Sequence, residues 1–318
     1  MMKILQALVY VIVIIFFGWC AFTFQSDIAQ IKFSQVVTAW DSILFALLLS
    51  LVNYVLRMAR WALYIFRLGH HLPFSFLGLT YIAGFAFTLS PGKVGEMVRG
   101  RYYQKIGIPL SSTAAAFFIE RLIDLLAMLA LAFMAIAFSS AYDTLIWGAA
   151  IVISLLLIIL AVSPWAKIYE YVEKVRWFPE SIKKAIQAIL RTLCSAKALL
   201  KPELLAVSFI IGLIAWGAEG IGLMVIGAIS PSISIDWVTA IGIYSIAIIV
   251  GALSFLPGGL GSTEAVMIAL LAAHGYAMPD AILLTVVCRL LTLWFAVVIG
   301  WIVVGAMHRN PMFEGVSQ

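Results

Sequence analysis

The sequence predicts an all-α, polytopic integral membrane protein with about six full spans and two oppositely oriented re-entrant hairpins in an inverted repeat. Three observations support this fold class. First, 64% of the 318 residues are hydrophobic and 11% are charged, whereas soluble domains carry about 25% charged residues. Second, a Pro-Gly motif occurs twice inside apolar sequence. Third, basic residues are concentrated in one linker. We expect residues 1–318 to form a single transmembrane domain.

The spans follow from the lengths of the apolar segments. About twenty apolar residues cross a bilayer as a helix, and six uninterrupted segments fit this length: 4–24, 42–65, 110–138, 142–162, 204–229 and 281–307. Regions 74–105 and 237–273 are interrupted, and their second arms, about 92–105 and 262–273, are short. At ~1.5 Å per residue the latter reaches about 18 Å, too little for a ~30 Å core. These arms predict hairpins that turn inside the membrane, although the first arms leave a full crossing open.

The loop charges set the orientation. The linker 163–203 is rich in Lys and Arg and is therefore predicted to be cytoplasmic. Segments 25–41, 139–143, 230–236 and 274–280 hold five Asp and a single Lys, and they fall outside. Repeat one then covers about 42–138 and repeat two about 204–307, with opposite hairpin orientations. Both termini are predicted to lie on the cytoplasmic side of the cytoplasmic (inner) membrane.

The linker has a second interpretation. Its apolar residues recur at helical spacing between basic residues, a pattern typical of a helix lying on anionic lipid. An ordinary cytoplasmic connector fits the pattern at least as well.

The repeated motif is the most specific feature of the chain. Residues 90–96 read Ser-Pro-Gly-Lys-Val-Gly-Glu, and residues 256–264 read Leu-Pro-Gly-Gly-Leu-Gly-Ser-Thr-Glu. About thirty residues after each proline, an arginine opens a second matched string, at 121 and at 289. Paired interruptions of this kind, in corresponding halves of a chain, indicate a transporter-like binding site at the breaks.

The residues of each break have distinct roles. The prolines end the incoming arm, and the glycines permit a tight turn and a close approach of ligand to backbone. The helix that restarts there points free N–H groups and its positive dipole end toward mid-membrane, which favours an anion. A rigid packed hairpin without a ligand is the alternative. The break residues assigned to substrate binding are Pro91, Gly92, Gly95, Pro257, Gly258, Gly259 and Gly261.

Ionisable residues inside the apolar segments complete the predicted site, because such residues are costly in a membrane and mark functional positions. We predict an electropositive cavity between the hairpin tips, lined by Arg60, Lys93, Arg99, Arg121 and Arg289, with acids nearby. Ion pairs that only lock the helices together are the alternative, and for Arg60 so is snorkelling toward the interface. The full set of charged candidates is Arg57, Arg60, Lys93, Glu96, Arg99, Glu120, Arg121, Asp124, Glu219, Glu264 and Arg289.

Glu96 and Glu264 have two interpretations. Each sits in the first turn of a restarted helix, where an acid complements the helix dipole. The sharper hypothesis is a titratable or cation-balancing group inside the cavity.

The sequence offers no motif for a cofactor or for nucleic acid. Cys20, Cys194 and Cys288 are scattered without metal-type spacing, and no nucleotide-binding loop is present. We therefore predict no cofactor, no metal and no nucleic-acid partner.

These motifs resemble the transmembrane, flippase-like region of the lysylphosphatidylglycerol synthase family. The resemblance covers nearly the whole chain, and its most specific parts are residues 57–61, 91–99, 120–124 and 257–264. It implies movement of a lipid. In the full synthases a soluble aminoacyl-transfer domain follows this region. Because the sequence ends at Gln318, we expect lipid translocation without the synthetic chemistry. The resemblance does not fix the lipid.

Three functions remain in competition. The first, which we favour, is a flippase-like transporter for a lipid with an anionic head group, either a phospholipid or a polyprenyl-phosphate-linked lipid. The second is a membrane-embedded enzyme of lipid or glycolipid modification, although no catalytic His, Ser or metal arrangement is apparent, so we predict no enzyme. The third is a non-transporting partner of a lipid-modifying enzyme.

Overall fold

A computed structural model describes residues 33–136, 143–175, 177, 179–230 and 234–308. Throughout these ranges the regular structure is helical, with no β-strand. The predicted span 4–24, parts of the predicted outer segments 25–41, 139–143 and 230–236, and the C-terminal end lie outside the described residues.

The first half is built from two long helices around an interrupted one. The helices are α1 (Phe33–Thr38), α2 (Trp40–Arg67), α3 (Phe74–Phe85), α4 (Arg99–Lys105), α5 (Leu110–Ile136) and α6 (Asp143–Val162). A 3-10 segment, Pro91–Val98, leads directly into α4. We call residues 86–98 the first break.

The second half repeats this order after a helical linker. The linker helices are α7 (Trp165–Lys174) and α8 (Glu180–Ala198), followed by α9 (Pro202–Gly227), α10 (Trp237–Leu253), α11 (Ser262–Ala273), α12 (Met278–Arg289) and α13 (Phe295–His308). A 3-10 turn, Pro257–Gly259, lies between α10 and α11, and we call residues 254–261 the second break. A π-helical segment, Leu290–Trp294, joins α12 to α13 without a gap.

Three continuous helices in the described part of the chain are long and apolar enough to cross a membrane: Trp40–Arg67, Pro202–Gly227 and Met278–His308. A fourth arises if Ile146–Val162 and Trp165–Lys174, which meet at 65°, count as one bent span. Helix α5 has 27 residues, long enough to cross, but it carries three ionisable residues near its centre. The structure therefore shows a multi-pass helical membrane protein, and the count of six full spans stays a prediction.

The arms of both interrupted regions are short. Helix α3 has 12 residues and α11 has 12, so each is about 18 Å long at ~1.5 Å per residue. Helix α3 alone is thus too short to cross a ~30 Å core. Helix α10, the first arm of the second region, is longer, with 17 residues, so re-entry of both regions stays a prediction. In each region the two arms pack against each other across the break.

The two halves interlock into one core. Helix α9 packs against α2, α5 and α10, while α10 packs along α5, and α13 packs along α3. Glycines allow the closest contacts: a Cβ at Gly220 would lie 2.7 Å from the Cα of Ile241, and one at Gly300 would lie 2.2 Å from the backbone nitrogen of Ala86. Because each half packs into the other, the two breaks are brought together at the centre.

The linker 163–203 folds back onto this core. Helix α8 packs against α7 and α5, burying Leu190 and Ala196, while Lys184 and Arg191 stay exposed. The helical structure predicted from the spacing of apolar residues in the linker is therefore confirmed.

Candidate functional site

The site begins where the two breaks meet. The 3-10 segments of the breaks are in direct contact. A Cβ at Gly258 would lie 2.7 Å from the side chain of Leu89, and one at Gly92 would lie 3.9 Å from the ring of Phe255. The tips of the two interrupted helices therefore face each other rather than lying at separate places in the protein.

Both tips use left-handed backbone. Gly92 has φ 60° and Gly258 has φ 61°, a conformation that glycine adopts without steric cost. The next residue is also left-handed in each break, with φ 56° at Lys93 and 68° at Gly259. A lysine in this region costs roughly 1–2 kcal/mol relative to right-handed backbone. The backbone at Lys93 is therefore strained. Such strain is typical of functional sites.

The second break is tied together by one arginine. Arg289 Nε donates to Glu264 Oε1 at 2.6 Å, and its Nη2 donates to the carbonyl oxygen of Gly258 at 2.9 Å. The other oxygen of Glu264 accepts the N–H of Gly261 at 2.6 Å, at the start of α11. The first-turn role predicted for Glu264 is present, and it occurs together with an ion pair.

The first break has a corresponding arrangement. Glu96 Oε2 accepts from Arg99 Nη2 at 2.9 Å and lies 3.7 Å from Arg121 Nη2. Its other oxygen accepts the hydroxyl of Thr88 at 2.9 Å. Glu96 with Arg121 therefore corresponds to Glu264 with Arg289, as the repeated sequence motifs predict.

Behind the first break, α2 and α5 share a buried charge network. Asp124 pairs with Arg60 and lies 3.8 Å from Arg57, while Glu120 lies 3.5 Å from Arg99. Arg121 Nη2 is 3.4 Å from Glu120 and 3.3 Å from Asp124. Several arginines thus share each acid, so the charge of Glu120 or Asp124 is not balanced by one arginine alone.

Aromatic side chains complete this network. The Tyr81 hydroxyl donates to Glu120 at 2.6 Å, and the Trp216 indole donates to Asp124 at 2.9 Å. The guanidinium of Arg99 lies 4.2 Å and 4.4 Å from the ring centroids of Trp61 and Tyr81. Arg99 is therefore held by two aromatic rings as well as by its acids.

The network leaves arginine donors unused. Within the described residues, the Nε and Nη2 groups of both Arg57 and Arg121 are buried and lack a hydrogen-bond partner, although each Nη2 lies near a carboxylate. An unpaired buried donor costs about 1–3 kcal/mol, so these groups could gain from an additional acceptor.

A cavity of about 240 Å³ lies between the breaks. Its polar lining contains Lys93, Arg121, Asp124 and Arg289, and the tips of both breaks contribute Gly92, Gly258 and Gly259. Its apolar lining includes Leu125, Met128, Ile248, Leu253, Phe255 and Leu256. Phe255 is 71% exposed, so the apolar lining reaches the outer surface of the protein. The cavity therefore combines cations with apolar side chains.

A second, smaller cavity of about 40 Å³ adjoins it, since Lys93, Trp216, Ile248 and Arg289 line both. It is also lined by Arg57, Glu96, Glu219 and Tyr244. At ~10–15 Å³ of this kind of volume per water molecule, it has room for about three. Glu219 is buried there and accepts a hydrogen bond from the Tyr244 hydroxyl.

The predicted charged residues divide into three groups. Lys93, Arg121, Asp124 and Arg289 line the larger cavity. Arg57, Glu96 and Glu219 line the smaller one. Four others, Arg60, Arg99, Glu120 and Glu264, line neither of the two cavities described and are held in ion pairs. Pro91, Gly95, Pro257 and Gly261 shape the breaks without lining a cavity.

Sequence reasoning missed the aromatic partners and one backbone feature. Tyr81, Trp216 and Tyr244 each bond a buried acid, yet in sequence they look like ordinary apolar residues. The π-helical turn directly after Arg289 was not predicted either, and such turns are frequent at functional sites. The left-handed backbone at Lys93 could have been predicted, because the second motif has glycine at the equivalent position.

Among the described residues, no group of three His, Cys, Asp or Glu side chains is placed to hold a metal ion.

The fold and site define a class: polytopic helical membrane proteins with a buried charge network at paired helix breaks. The chain belongs to the family described as the lysylphosphatidylglycerol synthase TM region, whose family model matches residues 4–300. This result confirms the resemblance drawn from the motifs. No curated protein sequence matches the chain. The family relates the protein to lipid modification or flipping in a membrane.

Proposed function

We propose that this protein moves a lipid with an anionic head group, a phospholipid or a polyprenyl-phosphate-linked lipid, across the cytoplasmic membrane. The observation that carries the proposal is the cavity between the breaks, whose lining contains three cations and many apolar side chains. An anionic lipid combines the same two chemistries, with a charged head and hydrocarbon tails. Ligand sites between paired broken helices are a recurring transporter design.

The unused arginine donors support an anionic ligand. Arg121 lines the larger cavity and Arg57 the smaller one, and each has N–H groups without a hydrogen-bond partner among the described residues. Guanidinium groups bind phosphate through two parallel hydrogen bonds, which makes them better suited to a phosphate oxygen than an ammonium group. Lys93 adds a positive charge at the tip of the first break.

The topology we propose places the two interrupted regions as re-entrant hairpins that enter from opposite sides, as in an inverted repeat. The short arms, the meeting of the two tips and the matched Glu–Arg pairs support it. About six full spans, cytoplasmic termini and a cytoplasmic linker complete this topology. The head group would cross between the tips while the tails stay in lipid.

The proposal predicts head-group scrambling by the purified protein. The protein is reconstituted into liposomes that contain a trace of fluorescent phosphatidylglycerol, and a membrane-impermeant reductant then destroys the probe in the outer leaflet. We expect wild-type protein to expose inner-leaflet probe to the reductant, and Lys93→Met to slow this severalfold. Lys184→Met, at a 73% exposed side chain of the linker, is the matched control and should behave as wild type.

Two results would overturn the proposal. The first is bleaching no faster than in protein-free liposomes. The second is equal loss of activity in Lys93→Met and in the control. Mass spectrometry of the same lipids tests the competing functions: a chemically altered lipid would identify an enzyme, and an unaltered, unmoved lipid would favour a non-transporting partner of a lipid-modifying enzyme.

A further inference from the structure

One buried acid of the site differs from all the others. Glu96, Glu120, Asp124 and Glu264 each pair with at least one arginine. Glu219 forms no ion pair in the described part of the chain, although it is only 4% exposed. Its hydrogen bond comes from a neutral phenol, Tyr244. A buried acid with no cation bonded to it requires an explanation.

The surroundings of Glu219 connect it to the head-group cations. It lies on α9 and lines the smaller cavity together with Arg57, Lys93 and Arg289, none of which forms an ion pair with Glu219. The other titratable groups around it are Glu96, the phenols of Tyr54 and Tyr244, and the thiol of Cys288. Because Lys93 and Arg289 also line the larger cavity, Glu219 and a bound head group would act on the same two cations.

We infer that Glu219 is a proton-binding site whose protonation strengthens binding of the anionic head group in the adjoining cavity. This inference rests on the proposed function for its second half. The carboxylate takes one proton from water and becomes a neutral acid, and no other bond changes. Intramembrane acids lining water-sized cavities serve as proton relays in pumps and transporters.

The charge balance gives the physical reason. The charged site residues comprise six cations and five acids, a formal net charge of +1 with Glu219 ionised. Protonation raises this to +2 and removes a negative charge that attracts Lys93 and Arg289. The larger cavity, which both cations line, then attracts a phosphate oxygen more strongly. By linkage, the anion must in turn favour protonation of Glu219.

The paired acids are poorer candidates for this role. Glu264 is fixed by Arg289 and by the Gly261 N–H, and Glu96 is fixed by Arg99 and Thr88. Protonating either would break contacts that hold a break in shape. Protonating Glu219 costs only a rearrangement of its bond with Tyr244.

Calorimetry can count the coupled proton. The purified protein is titrated with dihexanoyl-phosphatidylglycerol in two buffers of different ionisation enthalpy, over a range of pH. We expect wild-type protein to take up a proton on binding, and its affinity to fall by up to about tenfold per pH unit above the midpoint, the limit for one linked proton. Glu219→Gln should bind without proton uptake and with a flat pH profile. Glu203→Gln, an exposed position on the same helix, should match wild type.

Two further measurements decide the case if Glu219→Gln does not fold. Tyr244→Phe keeps the carboxyl but removes its donor, so the midpoint should move to higher pH; an unchanged midpoint would overturn the inference. Infrared difference spectra between acid and alkaline buffer should contain a carboxylic acid band. The pH at which this band appears should shift in Tyr244→Phe together with the midpoint.

The failures are distinguishable. Proton uptake that persists in Glu219→Gln, or binding that depends on Na⁺ instead of pH, overturns the inference. If the fluorescent phosphatidylglycerol is scrambled at one rate at every pH, the proposed function stands and the proton site fails. If Glu219 titrates but no probe is bound or moved, the coupling and the proposed function fail together while the proton site remains.

Discussion

Substitutions at Arg289 should distinguish the loss of stability from the loss of transport. Its guanidinium holds Glu264 at 2.6 Å and the Gly258 carbonyl at 2.9 Å, so Arg289→Leu breaks both contacts of the second break. Glu264 would keep only the Gly261 N–H. Removing one partner of a buried ion pair costs about 3–5 kcal/mol. The Glu264 side chain is 16% exposed, so we expect a value near the lower end.

A second substitution tests the cause. Arg289→Leu combined with Glu264→Gln removes the stranded charge, and the amide oxygen can still accept the Gly261 N–H. Most of the lost stability should therefore return. Transport should remain absent in both variants, because each lacks Arg289, one of the cations that line the larger cavity.

The assays are thermal or denaturant unfolding in detergent and scrambling of the fluorescent phosphatidylglycerol probe. Arg101→Leu, at an exposed position of α4, is the control and should change stability by less than about 0.5 kcal/mol. The reasoning is refuted if Arg289→Leu is as stable as this control, if the double variant is no more stable than the single one, or if either variant still scrambles the probe.

Three further predictions follow from the backbone. Lys93→Gly should be more stable than Lys93→Ala by roughly 1 kcal/mol in unfolding experiments, since both lose the amine but only glycine relieves the left-handed φ of 56°; equal stability would contradict this. Hydrogen bonds from the Thr239 hydroxyl and from two backbone N–H groups lower the pKa of Asp236, the N-cap of α10. Its stabilisation is thus present above the unfolded pKa of about 3.9 and is lost as the pH falls through the folded pKa, so Asp236→Ala should cost about 1 kcal/mol at neutral pH and progressively less below about pH 4. A cost that does not change with pH would contradict this. Gly300→Ala should destabilise by at least about 1–3 kcal/mol because its Cβ would meet the backbone of α3, whereas Gly305→Ala, with open space in the same helix, should not; equal melting temperatures would refute the contact.

The sequence predicted the helices and the breaks well because both depend on local chemistry. The predicted span 42–65 is a helix over Trp40–Arg67, and the predicted break positions carry the 3-10 segments at Pro91 and Pro257. Apolar length and Pro-Gly chemistry act within a few residues, so one sequence contains the information. The early end of α3 at Phe85 was less visible, since no proline or charge marks it.

The partners of the charged residues could not be read from the sequence. Arg60 was predicted to line the cavity, but the structure buries it against Asp124, 64 positions further along the chain. Arg99 likewise lies beside two aromatic rings instead of at the cavity wall. Which cation pairs with which acid depends on how α2 and α5 are rotated, and apolar residues on all sides of these helices leave that rotation undetermined in the sequence.

The differences between the two breaks say more about mechanism than their similarity does. At equivalent positions the first break has a lysine and the second a glycine, both with left-handed backbone. The acid of the first break is shared by Arg99 and Arg121, while that of the second is held by Arg289 alone. The second break also has a left-handed residue that is not glycine, Phe255 with φ 54°, and both Phe255 and Lys93 line the larger cavity. If both tips served only to turn the chain, neither strained side chain would confer an advantage over glycine. Because one tip contributes a cation and the other an aromatic ring, we expect the first break to supply charge to the proposed site and the second to supply apolar surface.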